Sequence, residues 1–198
     1  ANAGVIQIFT RRGSRGEPRW SLGIRHGINN LGHVGPKEDP TGLFINDCTA
    51  FPGCPESGTW LRNGHTQGYD LSVQGGGEAL TYYLSGRFEH EEGVIDPQHQ
   101  QAWALRGNFG FDAGPGLHIR FTNSYSHQTV RWLPDGNNAE GFLINVIRGP
   151  RSNSPDYNHR PILEAQHWSY VNQITSGVNV SWTPTNSMNH RLNVGVDL

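Results

Sequence analysis

Along most of this chain apolar and polar residues alternate with a period of two, in short segments set apart by glycine- and proline-rich turns. Successive side chains of a strand point to opposite faces, so each segment predicts a strand with one apolar and one polar side. The clearest runs from Thr81 to Glu89: Tyr82, Leu84, Gly86 and Phe88 share one face, Tyr83, Ser85, Arg87 and Glu89 the other. Trp20, Leu22 and Ile24 alternate with Ser21, Gly23 and Arg25; Tyr69, Leu71 and Val73 alternate with Asp70, Ser72 and Gln74. Trp103, Leu105, Gly107, Phe109 and Phe111 oppose Ala104, Arg106, Asn108 and Gly110. Leu117, Ile119, Phe121 and Tyr125 oppose His118, Arg120, Thr122, Ser124 and Ser126, with Asn123 interrupting the apolar stripe. Ile174, Val178, Val180 and Trp182 oppose Thr175, Asn179 and Ser181; Leu192, Val194, Val196 and Leu198 oppose Arg191, Asn193 and Asp197. The pattern predicts an all-β chain of about seven strands.

The connections fall into two classes. Tight turns are expected at Gly75–Glu78, at Asp112–Gly116 and at Thr183–Met188. Long loops are expected over about Asn30 to Gln67, His90 to Gln100 and Gln128 to Tyr170. In an antiparallel up-and-down order the turns collect at one end and the loops at the other. That asymmetry belongs to outer-membrane barrels, whose turns are periplasmic and whose long loops are extracellular.

Period alone leaves open whether the apolar stripes face a soluble core or lipid. Composition narrows the choice: 34% of the residues are hydrophobic, 26 are Gly and 16% are charged, which is poor material for a thick core. Aromatic residues near strand ends (Tyr82, Trp103, Phe111, Tyr125 and Trp182) stand where interfacial girdles sit, and strand lengths suit the roughly 9–11 residues of a tilted span. No apolar run approaches the roughly 20 residues of a helical span. Fifteen basic against 17 acidic residues leave no electrostatic footprint for nucleic acid.

Two stretches carry a family resemblance. Gly4-Val5-Ile6-Gln7-Ile8-Phe9-Thr10-Arg11-Arg12-Gly13 resembles the last plug strand of TonB-dependent outer-membrane receptors. Tyr82-Tyr83-Leu84-Ser85-Gly86-Arg87-Phe88-Glu89-His90-Glu91-Glu92-Gly93-Val94-Ile95 resembles an early barrel hairpin of their SusC/RagA-like branch, and Asn193-Val194-Gly195-Val196-Asp197 is similar to a later barrel strand. The resemblance implies that residues 1–13 end a plug domain and residues 14–198 begin a transmembrane β-barrel of approximately 22 strands. It further implies energised import of a glycan, peptide or metal chelate, a TonB energy-coupling complex as partner, a SusD-type surface lipoprotein as a lid, and no cofactor or enzymatic activity. Seven strands leave two open edges that hydrocarbon does not tolerate. A piece of a larger receptor, unable to transport alone, is therefore expected.

Within this frame Arg25, Asp70, Arg87, Glu89, Arg106, His118, Arg120, Arg191 and Asp197 are expected on the lumen wall, where their ion pairs would seat the plug. Loop aromatics Phe44, Phe51, Trp60, Trp132 and Trp168 are candidates for stacking on a ligand, or for packing the loops together. Cys48 and Cys54 are expected to close a loop disulfide, as an oxidising exterior favours; zinc would need a second Cys or His pair at ligand spacing. The ten His form no metal-binding spacing, and no metal is expected.

Two other classes remain open at this point. A soluble β-sandwich carbohydrate-binding module would pack the apolar faces of two sheets together. A small outer-membrane hydrolase would use Glu89 and Glu91 near His90, the one local set of paired acids and a His.

Overall fold

A computed structural model of the chain describes residues 11–32, 58–134, 141–142 and 164–198. Seven strands make up the fold: β1 (Gly16–Asn29), β2 (Gly64–Gly76), β3 (Leu80–Glu92), β4 (His99–Gly114), β5 (Leu117–Trp132), β6 (His167–Thr185) and β7 (Met188–Asp197). They form a single antiparallel sheet in the order β1-β2-β3-β4-β5-β6-β7. Every strand therefore pairs with its sequence neighbours, and β1 and β7 remain as open edges of the sheet. Among the described residues no helix is long and apolar enough to cross a membrane.

The register aligns the stripes of neighbouring strands. Leu22 pairs with Leu71, Leu71 with Gly86, Gly86 with Leu105, Leu105 with Tyr125 and Tyr125 with Ile174, so one apolar row crosses six strands. One residue along, Ser21, Ser72, Ser85, Arg106, Ser124, Thr175 and Asp197 pair in the same way on the opposite, polar face. A slip of one residue in any pair would exchange the two faces, and the strict apolar set on one face selects against it. The apolar face carries a polar island in mid-strand. Asn123, which breaks the β5 stripe, pairs with Ser176 across β6 and accepts its hydroxyl hydrogen at 2.7 Å. Each group thus answers the other, as polar groups on an apolar surface must.

Turns and loops sort to opposite ends as expected. The β2–β3, β4–β5 and β6–β7 connections are tight, with Gly77 N–H donating to the Leu80 carbonyl at 2.8 Å in the first and Thr183 N–H tying the third to the Gly116 carbonyl at 2.9 Å. The β3–β4 connection, expected as a loop from His90 to Gln100, shortens to six residues because both strands continue further. The strands run 10–19 residues, longer than a minimal tilted span. Their extra length lies mostly at the loop end, where polar side chains occur on both faces and alternation stops signalling a strand.

Burial separates this sheet from a soluble sandwich. Among the described residues the buried hydrophobic side chains are Trp60, Tyr83, Leu133 and Phe142. The apolar stripes stay open: Trp20 is 68% exposed, Leu105 56% and Val194 61%. A β-sandwich needs a second sheet on that face, and the described strands form one sheet only.

Candidate functional site

The polar face is where charged side chains from different strands meet. Asp70 on β2 lies directly opposite Arg87 on β3, and Arg25 on β1 lies opposite Gly68, which in turn faces Glu89. A Cβ at Gly68 would crowd the Arg25 guanidinium, so the glycine leaves Arg25 free to cross β2 and reach β3. Arg25 donates to Asp70 and, through Nη2, to Glu89 at 3.0 Å; Arg87 Nε lies 3.2 Å from Asp70 Oδ1 and 3.3 Å from Glu89 Oε1. Two cations and two carboxylates close a four-membered cluster with no net charge. Each pair is solvent-exposed and individually weak, so the arrangement matters as a network that fixes side-chain geometry on the wall.

Coupling within the cluster has a measurable consequence. Asp70→Asn leaves two guanidiniums against one carboxylate and is expected to lower the thermal transition of the folded protein. The double change Arg25→Gln with Asp70→Asn restores charge balance and should recover part of that loss. Equal or larger loss in the double variant, read by differential scanning calorimetry, would contradict the network.

Nearer the turns, the wall holds the chain segment that leads into β1. Asn108, 5% exposed, donates from Nδ2 to the Arg11 carbonyl at 2.6 Å. Gly13 lies so close to β3 that a Cβ there would overlap the Tyr82 backbone. Arg15 Nη2 pairs with Asp112 Oδ2 at 2.9 Å and reaches the Glu78 carbonyl at 3.4 Å, while Asp112 also binds His118 Nδ1. Residues 11–15 are thereby fastened to β3, β4 and the β2–β3 turn. The sequence offered little sign of this: Asp112 reads as a turn residue and Asn108 as one polar position among many.

The other expected wall residues divide. Asp197 accepts from Gln173 at 3.2 Å and Thr175 at 3.0 Å. Arg106, Arg120 and Arg191 face the same side, and none forms an ion pair among the described residues.

Candidates drawn from the loop end are dispersed. Glu89 and Glu91 lie on the polar face, whereas His90, between them in β3, points to the apolar side and packs near His99 with ring centroids 6.1 Å apart. Alternation therefore separates the His90 ring from the Glu89 and Glu91 carboxylates. Trp60 is buried, edge-on to Phe142 at 5.5 Å, and joins loop segments. Trp168 belongs to the apolar side, stacked on Tyr170 at 6.0 Å with the Arg131 guanidinium 5.6 Å from its ring. Trp132, on the polar side, packs beside His167 at 5.2 Å. Phe44, Phe51, Cys48, Cys54 and residues 1–10 lie outside the described residues. Among the described residues no three His, Cys, Asp or Glu side chains come together as metal ligands.

Comparison with known proteins rests on fold. No protein-family model matches the chain, and no curated protein matches it. Among solved structures it is similar to a chain of the RagAB peptide importer in its closed-closed state, with TM-score 0.63 and 16% identity over 95% of this chain and 29% of that one. This is a likeness to RagAB. A second RagAB peptide transporter structure gives TM-score 0.63 at 15% identity, and the open-open state of the importer gives 0.61 at 15%. At that identity what is shared with RagAB is the fold. The chain spans under a third of the length of the RagAB chains it matches.

Proposed function

We propose that this chain is a sector of a RagA-like TonB-dependent receptor of the outer membrane: the end of the plug in residues 1–13, then the first seven barrel strands. The observation that carries the reading is the exposed apolar face, continuous over strands whose loops and turns sort to opposite ends. Aromatic residues edge that face at both levels. Trp103 meets Tyr125 at 5.0 Å towards the loops, and Phe111 meets Phe121 at 5.7 Å towards the turns. The two levels are eight residues apart on β4, or about 27 Å along a strand at its usual rise. The nine residues from Trp103 to Phe111 match the roughly 9–11 residues of a tilted barrel span. The likeness to RagAB supports the same conclusion.

In this reading the apolar face meets lipid, the polar face lines the lumen, and the charged cluster with the Arg11–Arg15 anchorage seats the plug. The whole receptor imports an oligopeptide nutrient, powered by the TonB complex and assisted by a SusD-type lipoprotein over the loop end; it is a transporter and not an enzyme. The soluble carbohydrate-binding module is disfavoured by the one sheet that the described strands form, with its apolar face exposed among the described residues. Growth on peptides as sole amino-acid source tests the proposal. Deleting the full reading frame, or the energy-coupling protein, should abolish growth on oligopeptides but leave growth on free amino acids intact. Unchanged peptide growth in both deletions would contradict it.

A further inference from the structure

The polar face carries two kinds of arginine. Arg25 and Arg87 are neutralised by Asp70 and Glu89. Arg106, one pair row nearer the turns, has no carboxylate partner among the described residues and is flanked across the ladders by Ser85 and Ser124. Neither hydroxyl makes a side-chain hydrogen bond among the described residues. Arg106, Ser85 and Ser124 border a cavity of about 570 Å³ over the polar face, and the mutually neutralised Asp70 and Arg87 border it as well. Its turn-side rim is Arg11, whose carbonyl is held by Asn108, two residues further along β4. Arg11 is followed by Arg12, so this described stretch is itself basic and brings no counter-charge to Arg106.

We propose that Arg106 is the centre of a carboxylate-binding subsite on the lumen wall, with the Ser85 and Ser124 hydroxyls as supporting donors. A guanidinium is a planar fork that matches a carboxylate with two parallel hydrogen bonds, and Arg87, the other strand guanidinium on this cavity, is already paired with Asp70 and Glu89. The ligand carried past this wall is therefore selected for a free carboxylate, as at the C-terminus of a peptide. This rests on the import reading above and adds to it the chemical group that is recognised.

The test uses the full-length receptor purified in detergent, a digest of an unrelated protein, and the same digest with its carboxylates amidated. Wild-type receptor should retain the free-acid digest about tenfold better than the amidated one, the ratio expected for one charge-assisted pair. Arg106→Gln should bring the ratio to about one, and Arg106→Lys should keep part of it. Phenylglyoxal should modify residue 106 readily in the empty receptor and slowly with the free-acid digest present. Persistence of the tenfold preference in Arg106→Gln overturns the subsite while leaving import intact. So does a residue 106 that resists phenylglyoxal without ligand, because a carboxylate of the same chain then holds it. Retention of neither digest overturns the import reading and the subsite together.

Discussion

Leu84→Arg is expected to destabilise the membrane-reconstituted receptor by about 2–4 kcal/mol, the cost of a basic side chain facing lipid near mid-bilayer in a barrel. Leu84 lies midway along its stripe and pairs with Gly107 on β4. It is 41% exposed although nothing polar on its face would hold it there. On the surface of a soluble protein a partly exposed Leu exchanged for Arg changes stability by about 0.5 kcal/mol or less. The neighbouring change Ser85→Arg, on the polar face, should cost less, about 0.2–1 kcal/mol in either setting from the like charge of Arg106 directly opposite. Denaturant unfolding in lipid vesicles measures both, and a Leu84→Arg loss no greater than that of Ser85→Arg would remove the case for a lipid-facing stripe.

Gly13→Val is expected to release the segment that enters β1. Any Cβ at residue 13 overlaps the Tyr82 backbone, and the two γ-methyls of Val worsen the clash. Relief requires the segment to lift, which also breaks the Asn108 to Arg11 bond. Overpacking costs about 1–3 kcal/mol and a lost hydrogen bond roughly 1 kcal/mol more. Trypsin cleavage after Arg11, Arg12 and Arg15 reports the release. It should accelerate at least about tenfold in Gly13→Val, since ~1.4 kcal/mol of lost closure corresponds to a factor of ten in the open population. Gly77→Ala, where an added Cβ meets nothing within 4 Å, is the control and should leave cleavage unchanged. Equal rates in wild type and Gly13→Val would mean that the segment is not seated on β3.

Much of this was legible in the sequence because the period of two is enforced by a face that must be apolar throughout. All seven strands, their faces and the sorting of turns and loops follow from it, and Asn123 stood out as the one polar break in its stripe. Where the requirement lapses, the signal lapses too. His90 and Glu92 in β3, Gln128 to Trp132 in β5 and Gly64 to Gln67 in β2 are strand residues, but with polar groups on both faces they read as loop. The charged wall was readable as a set of residues and not as a set of pairs. That Arg25 reaches Glu89 over Gly68 depends on the register of three strands, which no single strand encodes. The local Glu-His-Glu run shows the converse: adjacency in sequence places His90 on the far side of the sheet from Glu89 and Glu91.

The central claim is that the apolar face of this sheet meets lipid and the polar face meets water. Spin labels placed singly at residues 103 to 111 of β4 test it most directly, in full-length receptor with Cys48→Ser and Cys54→Ser, reconstituted into vesicles. Oxygen, which concentrates in hydrocarbon, should relax labels at 103, 105, 107, 109 and 111, and a water-soluble nickel chelate should relax those at 104, 106, 108 and 110. Labels at the odd positions shielded from both reagents, as the inside of a sandwich would shield them, would contradict the account.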